Sequence, residues 1–559
     1  MKDQIRAALT AACRLWAAEQ KSDLPFDDSA VLVETPPPNI PGDAASSLPL
    51  AVAKTVKKPP RQVAQEILAH LSAGPLLEKA EIAGPGFLNF FLHPSWLLME
   101  LRSLLRQRSD YGRLRDPAGK ILIEFVSANP NGPLHVGHGR GAALGDALAR
   151  IFRHRGYDVT TEYYVNNIGN QMENLGASVM SRIDELDPGC LDEVERAAYR
   201  AKKPEDLYKG AYLIGVAREI LRRSPAASRP RGLAFFRDAG QELILQGIKK
   251  DLASFGVTHD SWYPESRLYD EKRVEESLVA LRGTGDLKDE DGALWFLSTK
   301  YGDDKDRVLM RRDERPTYFA SDIAYHHEKF RRGFDRLVDI WGTDHHGYVA
   351  RVKAAVQALG HDPSRLSILL YQLVSLVRGG KPVVMSTRSG EFVTLEEVVA
   401  EVGKDACRFF YALRGPNSPL EFDLELAKRQ ASENPVFYVK YVHARCASLF
   451  REAEKRGGGA VDPAAFRPPT RLEKEERALL VRLAGFSDVL DQCLADLSPH
   501  HVTDYLLKLS GDYHRFYETC RVLGEAPDVT AFRLALVDGV RTVIKNGLGL
   551  LSIDAPEEM

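Results

Sequence analysis

The sequence predicts a multidomain α/β fold, with a parallel-sheet core between an N-terminal α+β domain and a C-terminal all-α bundle. Three observations predict it. The run ILIEFV at 121–126 is apolar and β-branched over the length of a strand buried on both faces. It passes through a turn rich in Asn, Pro and Gly at 129–133 into a helical pattern, and a second strand pattern follows at 157–165. The two strands of such a β-α-β unit run parallel, which gives a Rossmann-like core. Beyond Asn434 the pattern is helical throughout, broken only by the Gly and Pro residues of 457–469. The expected domains are 1–112, 113–430 and 431–559.

In chain order, a first helix carries Ile5, Leu9, Cys13 and Trp16 on one face. AVLVET at 30–35 reads as a strand stopped by Pro36, Pro37 and Pro38. A helix at 60–71, a strand at 86–92 and a helix at 94–108 complete the first domain, with Arg102, Arg106 and Arg108 on a solvated outer face. In the core, a helix from about Gly137 places Leu144, Ala147, Leu148, Ile151 and Phe152 at i, i+3, i+4, i+7 and i+8, one buried face. Arg150, Arg153 and Arg155 suit its C-terminal end, and Gly156 its stop. Residues 170–231 read as a charged helical insertion, 243–255 as an amphipathic helix, GALWFLST as a hairpin region and 335–342 as the next buried strand. A helix at 395–402 precedes a C-terminal bundle of five helices.

Composition excludes several classes. Hydrophobic content of 44% and charged content of 27% are those of an ordinary globular chain of 559 residues. A net charge of −3 gives no global nucleic-acid footprint, so any RNA contact falls to local basic surfaces. The six cysteines are scattered with no CxxC pair, which fits reduced thiols and offers no zinc site. The opening MKDQIRAALTAACRLW carries charges throughout, unlike a signal peptide, and no apolar run approaches membrane-spanning length. A cytoplasmic protein is expected.

The chemistry concentrates at HVGH, residues 135–138, at the mouth of the core helix. A helix N-terminus presents unpaired N–H groups and a partial positive charge to a phosphate. His135 and His138 add ring N–H donors, and Gly137 and Gly139 allow close approach of a nucleotide. At the end of the 335–342 strand, Thr343, Asp344, His345 and His346 lie where open α/β sheets bind ligands. The His pair lacks further ligands at metal spacing, so nucleotide or substrate contact is the expected role. Glu124 stands in an otherwise apolar strand and needs a partner, whether it is structural or binds an amino group.

HVGH resembles the HIGH signature of class I aminoacyl-tRNA synthetases, and SANPNGPLHVGHGRGAALGDALAR around it is similar to the arginyl-tRNA synthetase form. The resemblance continues through YVNNIGNQ, TYFASDIAYH, DIWGTDHHGYVARV, MSTRSGEFVTL and NPVFYVKYVHAR, and GKDACRFFYAL resembles the DALR helix. It implies an enzyme that joins arginine to ATP as arginyl-adenylate and transfers it to the 2′-hydroxyl of the terminal adenosine of tRNA(Arg). It further implies that activation needs bound tRNA, that the chain is a monomer and that the N-terminal domain touches the corner of the tRNA. Magnesium would arrive with ATP, and neither zinc nor an organic cofactor is implied.

By the same resemblance, ATP is expected at His135, Gly137, His138, Gly139, Asp344, His345, Met385 and Ser386. Arginine is expected at Glu265, Tyr318 and Asp322, with Ser127, Asn129 and His346 nearby. Carboxylates suit this task because they match a guanidinium bidentately. Asp322 alone could equally cap a helix beginning at IAYHHEKF. For RNA, Tyr438, Lys440, Tyr441, His443 and Arg445 interleave aromatic and cationic groups suited to stacking on anticodon bases, and the resemblance also places Met559 near the anticodon. A core helix with Phe437, Tyr441 and Ala444 inward is the alternative.

The sequence departs from the resemblance at its catalytic cations. Where KMSKS is common, Val384, Met385, Ser386, Thr387 and Arg388 stand, and Gly132 occupies the place three residues before His135 where many arginine enzymes carry lysine. Arg388 and Lys381 are the candidate cations. A non-catalytic tRNA-binding paralogue and another HIGH-type nucleotidyltransferase are the alternative readings.

Overall fold

The computed structural model describes residues 1–20, 31–37, 39–72, 74–114, 119–224, 232–383, 393–457, 462, 466–469 and 471–559. Five parallel strands form the core sheet: β1 (Lys120–Phe125), β2 (Asp158–Val165), β3 (Ser261–Pro264), β4 (Arg336–Gly342) and β5 (Leu366–Tyr371). Their spatial order is β5-β4-β1-β2-β3, so the winding direction reverses between β1 and β4. That reversal opens a crevice at the C-terminal ends of the two strands, the place where open parallel sheets bind ligands.

The helix Val136–His154 returns the chain from β1 to β2. It lies so close to the sheet that a Cβ at Gly145 would sit 2.2 Å from the Phe125 ring. Gly156 ends it at φ +90, in the left-handed region. The insertion forms helices Asn170–Leu186, Glu193–Arg200, Tyr212–Arg223 and Leu233–Ser254. The last starts ten residues before the sequence pattern suggested and supplies Phe236, Ile244 and Ile248 to the core. The region of GALWFLST is one strand of an antiparallel sheet of three, Leu287–Glu290, Ala293–Phe296 and Arg307–Met310.

The N-terminal part carries a three-stranded antiparallel sheet, with Phe87–Leu92 between Ala44–Ser46 and Leu77–Ala83. AVLVET is not a strand among the described residues: Glu34 makes a single bridge to Ala45. Val31 and Val33 are buried for packing, and the three-residue strand Ala44–Ser46 takes the edge instead. Helices Lys2–Glu19, Leu48–Val56, Pro60–Ala69 and Pro94–Gln107 cover this sheet and lead to the core.

Among the described residues five helices follow the core: Pro435–Lys455, Lys474–Ala484, Phe486–Ala495, His500–Thr519 and Pro527–Leu550. Two arginines read as solvated face this bundle instead. Arg102 donates to the Phe466 carbonyl at 3.2 Å and Arg108 pairs with buried Asp538 at 2.5 Å. The core and bundle are also tied through Arg408, which is 1% exposed. Its guanidinium donates to Asp146 on the Val136–His154 helix, to the Phe255 carbonyl and to the Leu551 carbonyl that follows the last helix.

Candidate active site

β1 ends in a kink. Val126 and Ser127 have φ of +70 and +39, a conformation that costs a β-branched residue energy and recurs at functional sites. Ser127 is held there by two bonds: its hydroxyl donates to Glu124 at 2.8 Å and accepts from the Tyr164 amide at 3.1 Å. The turn that follows is braced by the insertion, whose Tyr208 hydroxyl accepts from Asn131 and whose Tyr212 hydroxyl donates to the Asn131 carbonyl.

The core helix then opens with His135 as its N-cap. Nδ1 of His135 accepts from the amides of Gly137 at 3.1 Å and His138 at 3.4 Å, and Nδ1 of His138 accepts from the His135 amide at 3.2 Å. This is a capping box built from imidazoles in place of Ser and Glu. The rings stack with centroids 3.6 Å apart. An accepting Nδ1 puts the ring proton on Nε2, so each imidazole is neutral and an Nε2–H donor. Burial reinforces this, lowering the pKa of both rings and bringing His138 down to about 3, with His135 beside it adding to the effect. Gly137 is required for another reason: a Cβ there would lie 2.9 Å from the folded-back His135 ring.

A cavity of about 640 Å³ opens in front of this helix. His135, Gly137, His138, Asp344 and His345 line it, together with Ser127, Asn129, Glu265, Tyr318 and Asp322. Tyr318 and Asp322 belong to the helix Tyr318–Arg331, capped by Thr317, so Asp322 lies inside the helix and is not its cap. Tyr325 and His326 continue the same face into the cavity wall. Among the described lining residues there is no lysine or arginine. Glu265 and Asp322 have no ion-pair partner among the described residues: burial raises Glu265 to about 7 and Asp322 to about 6, with Asp322 adding to the first and Glu124 to the second.

Beneath the cavity the register sets three carboxylates side by side, with Asp339 opposite Glu124 and Glu124 opposite Glu162. Lys329 and Arg332, from the end of the Tyr318–Arg331 helix, meet them. Lys329 pairs with Glu124 and Asp339, while Arg332 makes a two-point bond to Glu162. His326 joins the same floor, with Nδ1 2.7 Å from the Asp322 carbonyl and Nε2 2.8 Å from an Asp339 oxygen. Tyr164 completes the wall; its hydroxyl is buried with no hydrogen-bond partner among the described residues.

Other expected residues lie elsewhere. Gly139 is outside the cavity, where a Cβ would meet Leu395 at 2.7 Å and Tyr411 at 2.9 Å, so its smallness seats the helix on its neighbours. His346 is exposed and does not line the cavity. Lys381 is exposed on the short strand Lys381–Pro382. Met385, Ser386 and Arg388 lie outside the described residues. Tyr438, Tyr441 and Arg445 share the helix Pro435–Lys455, whose inward face is Val439, Val442, His443, Ala444 and Cys446; Tyr441 is 41% exposed and Phe437 only half-buried. Met559 lines a separate groove with Lys404 and Lys440.

Sequence reasoning named neither Lys329 nor Asp339. The one signal was Glu124, a carboxylate in an apolar strand that needs a partner of some kind.

A parallel sheet with HVGH at its reversal point, and a helical bundle beyond, defines a class I aminoacyl-tRNA synthetase. Residues 100–411 match the catalytic domain described as "tRNA synthetases class I (R)", 1–92 the arginyl-tRNA synthetase N-terminal domain, and 439–559 the DALR anticodon binding domain. The chain is 47% identical to the arginine–tRNA ligase of Syntrophotalea carbinolica over 93% of both chains, and 46% identical to that of Desulfosudis oleivorans over 100% of this chain and 99% of the other. The Thermus thermophilus arginyl-tRNA synthetase shares the fold over the full length of both chains, with a TM-score of 0.77 at 23% identity. The chain belongs to the arginyl-tRNA synthetase family and is an arginine–tRNA ligase.

Proposed function

We propose that the cavity binds arginine by its two ends and presents its carboxylate to ATP at the HVGH helix. The observation that carries this is the pair Glu265 and Asp322, acids without an ion-pair partner among the described residues, on the wall of a cavity whose described lining holds no lysine or arginine. Such a pocket is completed by a cationic ligand. A guanidinium between Glu265 and Asp322 supplies the charge both are short of, beside the Tyr318 ring, and the α-amino group falls to Glu124, with Ser127 and Asn129 alongside. The arginine carboxylate then attacks the α-phosphorus of ATP, an O–P bond forms, and pyrophosphate leaves. Catalysis here is positioning and charge stabilisation. The Nε2–H groups of His135 and His138 and the helix N-terminus are the phosphate donors, with Asp344 and His345 at the nucleotide end and Arg388 the preferred added cation. Magnesium enters as part of the ATP substrate.

In the second step the 2′-hydroxyl of the terminal adenosine attacks the arginyl carbonyl and AMP leaves. The reading extends to a monomer that requires tRNA for activation. Its domains are 1–112 at the tRNA corner, 113–430 for chemistry and 431–559 for the anticodon, which meets Tyr438, Tyr441, Arg445 and Met559. Charging of tRNA(Arg) with labelled arginine by the purified chain tests it. Failure to charge, with tRNA still bound, would favour a tRNA-binding protein without catalysis.

A further inference from the structure

A cavity of about 400 Å³ lies apart from the reaction site, where the linker after the N-terminal domain meets the bundle and the C-terminal tail. Arg108, His443, Arg541, Lys545 and Glu557 are on its wall. Asp538, 2% exposed, sits between the two arginines and accepts from Arg108 at 2.5 Å and Arg541 at 2.9 Å. Each of these bonds uses one terminal nitrogen, so a single buried carboxylate fixes two guanidiniums while leaving them donors for another acceptor. Lys545 is exposed and has no ion-pair partner among the described residues.

His443 adds an independent observation. It is 2% exposed, and its Nδ1–H donates to the Pro556 carbonyl at 2.7 Å. That bond leaves Nε2 as a lone-pair acceptor, and Nε2 is buried with no partner among the described residues. Burial lowers its pKa against the opposing Pro556 bond and Glu557, and Arg541 and Lys545 add to the lowering, which favours the neutral ring. A plain anion would satisfy the cations and leave Nε2 unmatched. An anion that carries or adjoins a hydroxyl satisfies both, its oxygens taking the guanidinium and ammonium donors and its O–H donating to Nε2.

We propose that this cavity binds a phosphate group with a neighbouring hydroxyl, the chemistry shared by inorganic hydrogen phosphate and by an RNA backbone with its 2′-hydroxyl. Only the RNA arm rests on the ligase reading above. Glu557 is an exposed carboxylate on the same wall and opposes any anion there.

The test uses the full chain with ¹³C-labelled histidines, the His443 ring signal being assigned by its loss in His443→Gln. Titration with inorganic phosphate at constant ionic strength should shift that signal saturably. Lys545→Ala should weaken the response severalfold, and Glu557→Gln should tighten it. Neither residue is buried, so both variants should fold. In the second arm, tRNA affinity is measured against salt concentration. A slope reduced by about one in Lys545→Ala identifies a backbone phosphate as the occupant. Weakened phosphate binding with an unchanged slope identifies the free anion. No saturable shift of His443, or the same response in both variants as in the parent, overturns the proposal. Loss of all tRNA binding by the parent would strike at the ligase reading and leave the phosphate arm intact.

Discussion

Lys329 Nζ lies between the carboxylates of Glu124 and Asp339, 2.5 Å from one and 2.7 Å from the other, with its side chain fully buried. The two acids belong to adjacent strands on either side of the crevice and are direct register partners. One cation therefore serves both acids at the floor of the pocket and holds Glu124 within reach of the Ser127 hydroxyl. Burial alone would raise Asp339, but Lys329 and His326 outweigh it and hold it below the usual carboxylate range. Removing the ammonium leaves two buried acids facing each other. Lys329→Met is expected to lower unfolding stability by about 3–5 kcal/mol, read by urea denaturation. Because Asp339 has a depressed folded value, its contribution is present above pH about 4 and lost as pH falls further.

How much of this was legible in the sequence follows from the kind of information each feature needs. The strand, turn and helix around HVGH are local, and apolar spacing with Gly and Pro placed them within a residue or two. Glu124, Glu162 and Asp339 align only through strand register, and Lys329 looked like one more charge in IAYHHEKF. Neither fact is local. Arg102 and Arg108 misled for the same reason, since an outer face of one helix became the inner face of an interface with the bundle. AVLVET had strand composition but only one bridging partner.

Glu265 near 7 and Asp322 near 6 make arginine binding depend on pH. Both folded values lie above the unfolded carboxylate range of about 4, so the ligand-free fold loses stability as pH rises through them. A guanidinium supplies the missing charge and reverses that loss. The stabilisation by arginine should grow from pH about 6 to about 8, measured as the shift in thermal unfolding at each pH. Equal shifts at both values would take these acids out of the pocket. Asp322→Asn should weaken arginine binding by about 2–4 kcal/mol.

The imidazole capping box joins stability to rate. His138→Ala removes a phosphate donor and the acceptor of the His135 amide together. Adenylate formation should fall by about 10²–10³, and stability by only about 1 kcal/mol. Rapid-quench assays and urea titration separate the two; a rate loss that merely tracks unfolding would make the histidine structural.

Tyr441 is 41% exposed on the Pro435–Lys455 helix, its ring roughly parallel to those of Phe437 and His514. It is available for stacking without opening the core. Tyr441→Ala should weaken tRNA binding by about 1–3 kcal/mol and leave ATP binding unchanged. Normal tRNA affinity with a lowered melting temperature would assign the ring to packing.

The last prediction concerns the cation that charge build-up on the phosphates still requires. The described cavity wall carries His135 and His138, both neutral, with His345 and with His326, which is engaged by Asp339, and no lysine or arginine. Lys381 is exposed, pairs with Arg378 across a short antiparallel turn and does not line the cavity. That leaves Arg388, which stands at the KMSKS-like segment and outside the described residues. A guanidinium can grip phosphate oxygens at two points and replace an ammonium there. Arg388→Ala is expected to slow adenylate formation by about 10²–10³ with little change in arginine affinity, while Lys381→Ala does much less. Single-turnover assays with tRNA present compare the two variants directly. A crippled lysine variant would reverse the assignment, and two unimpaired variants would place the cation elsewhere in the fold.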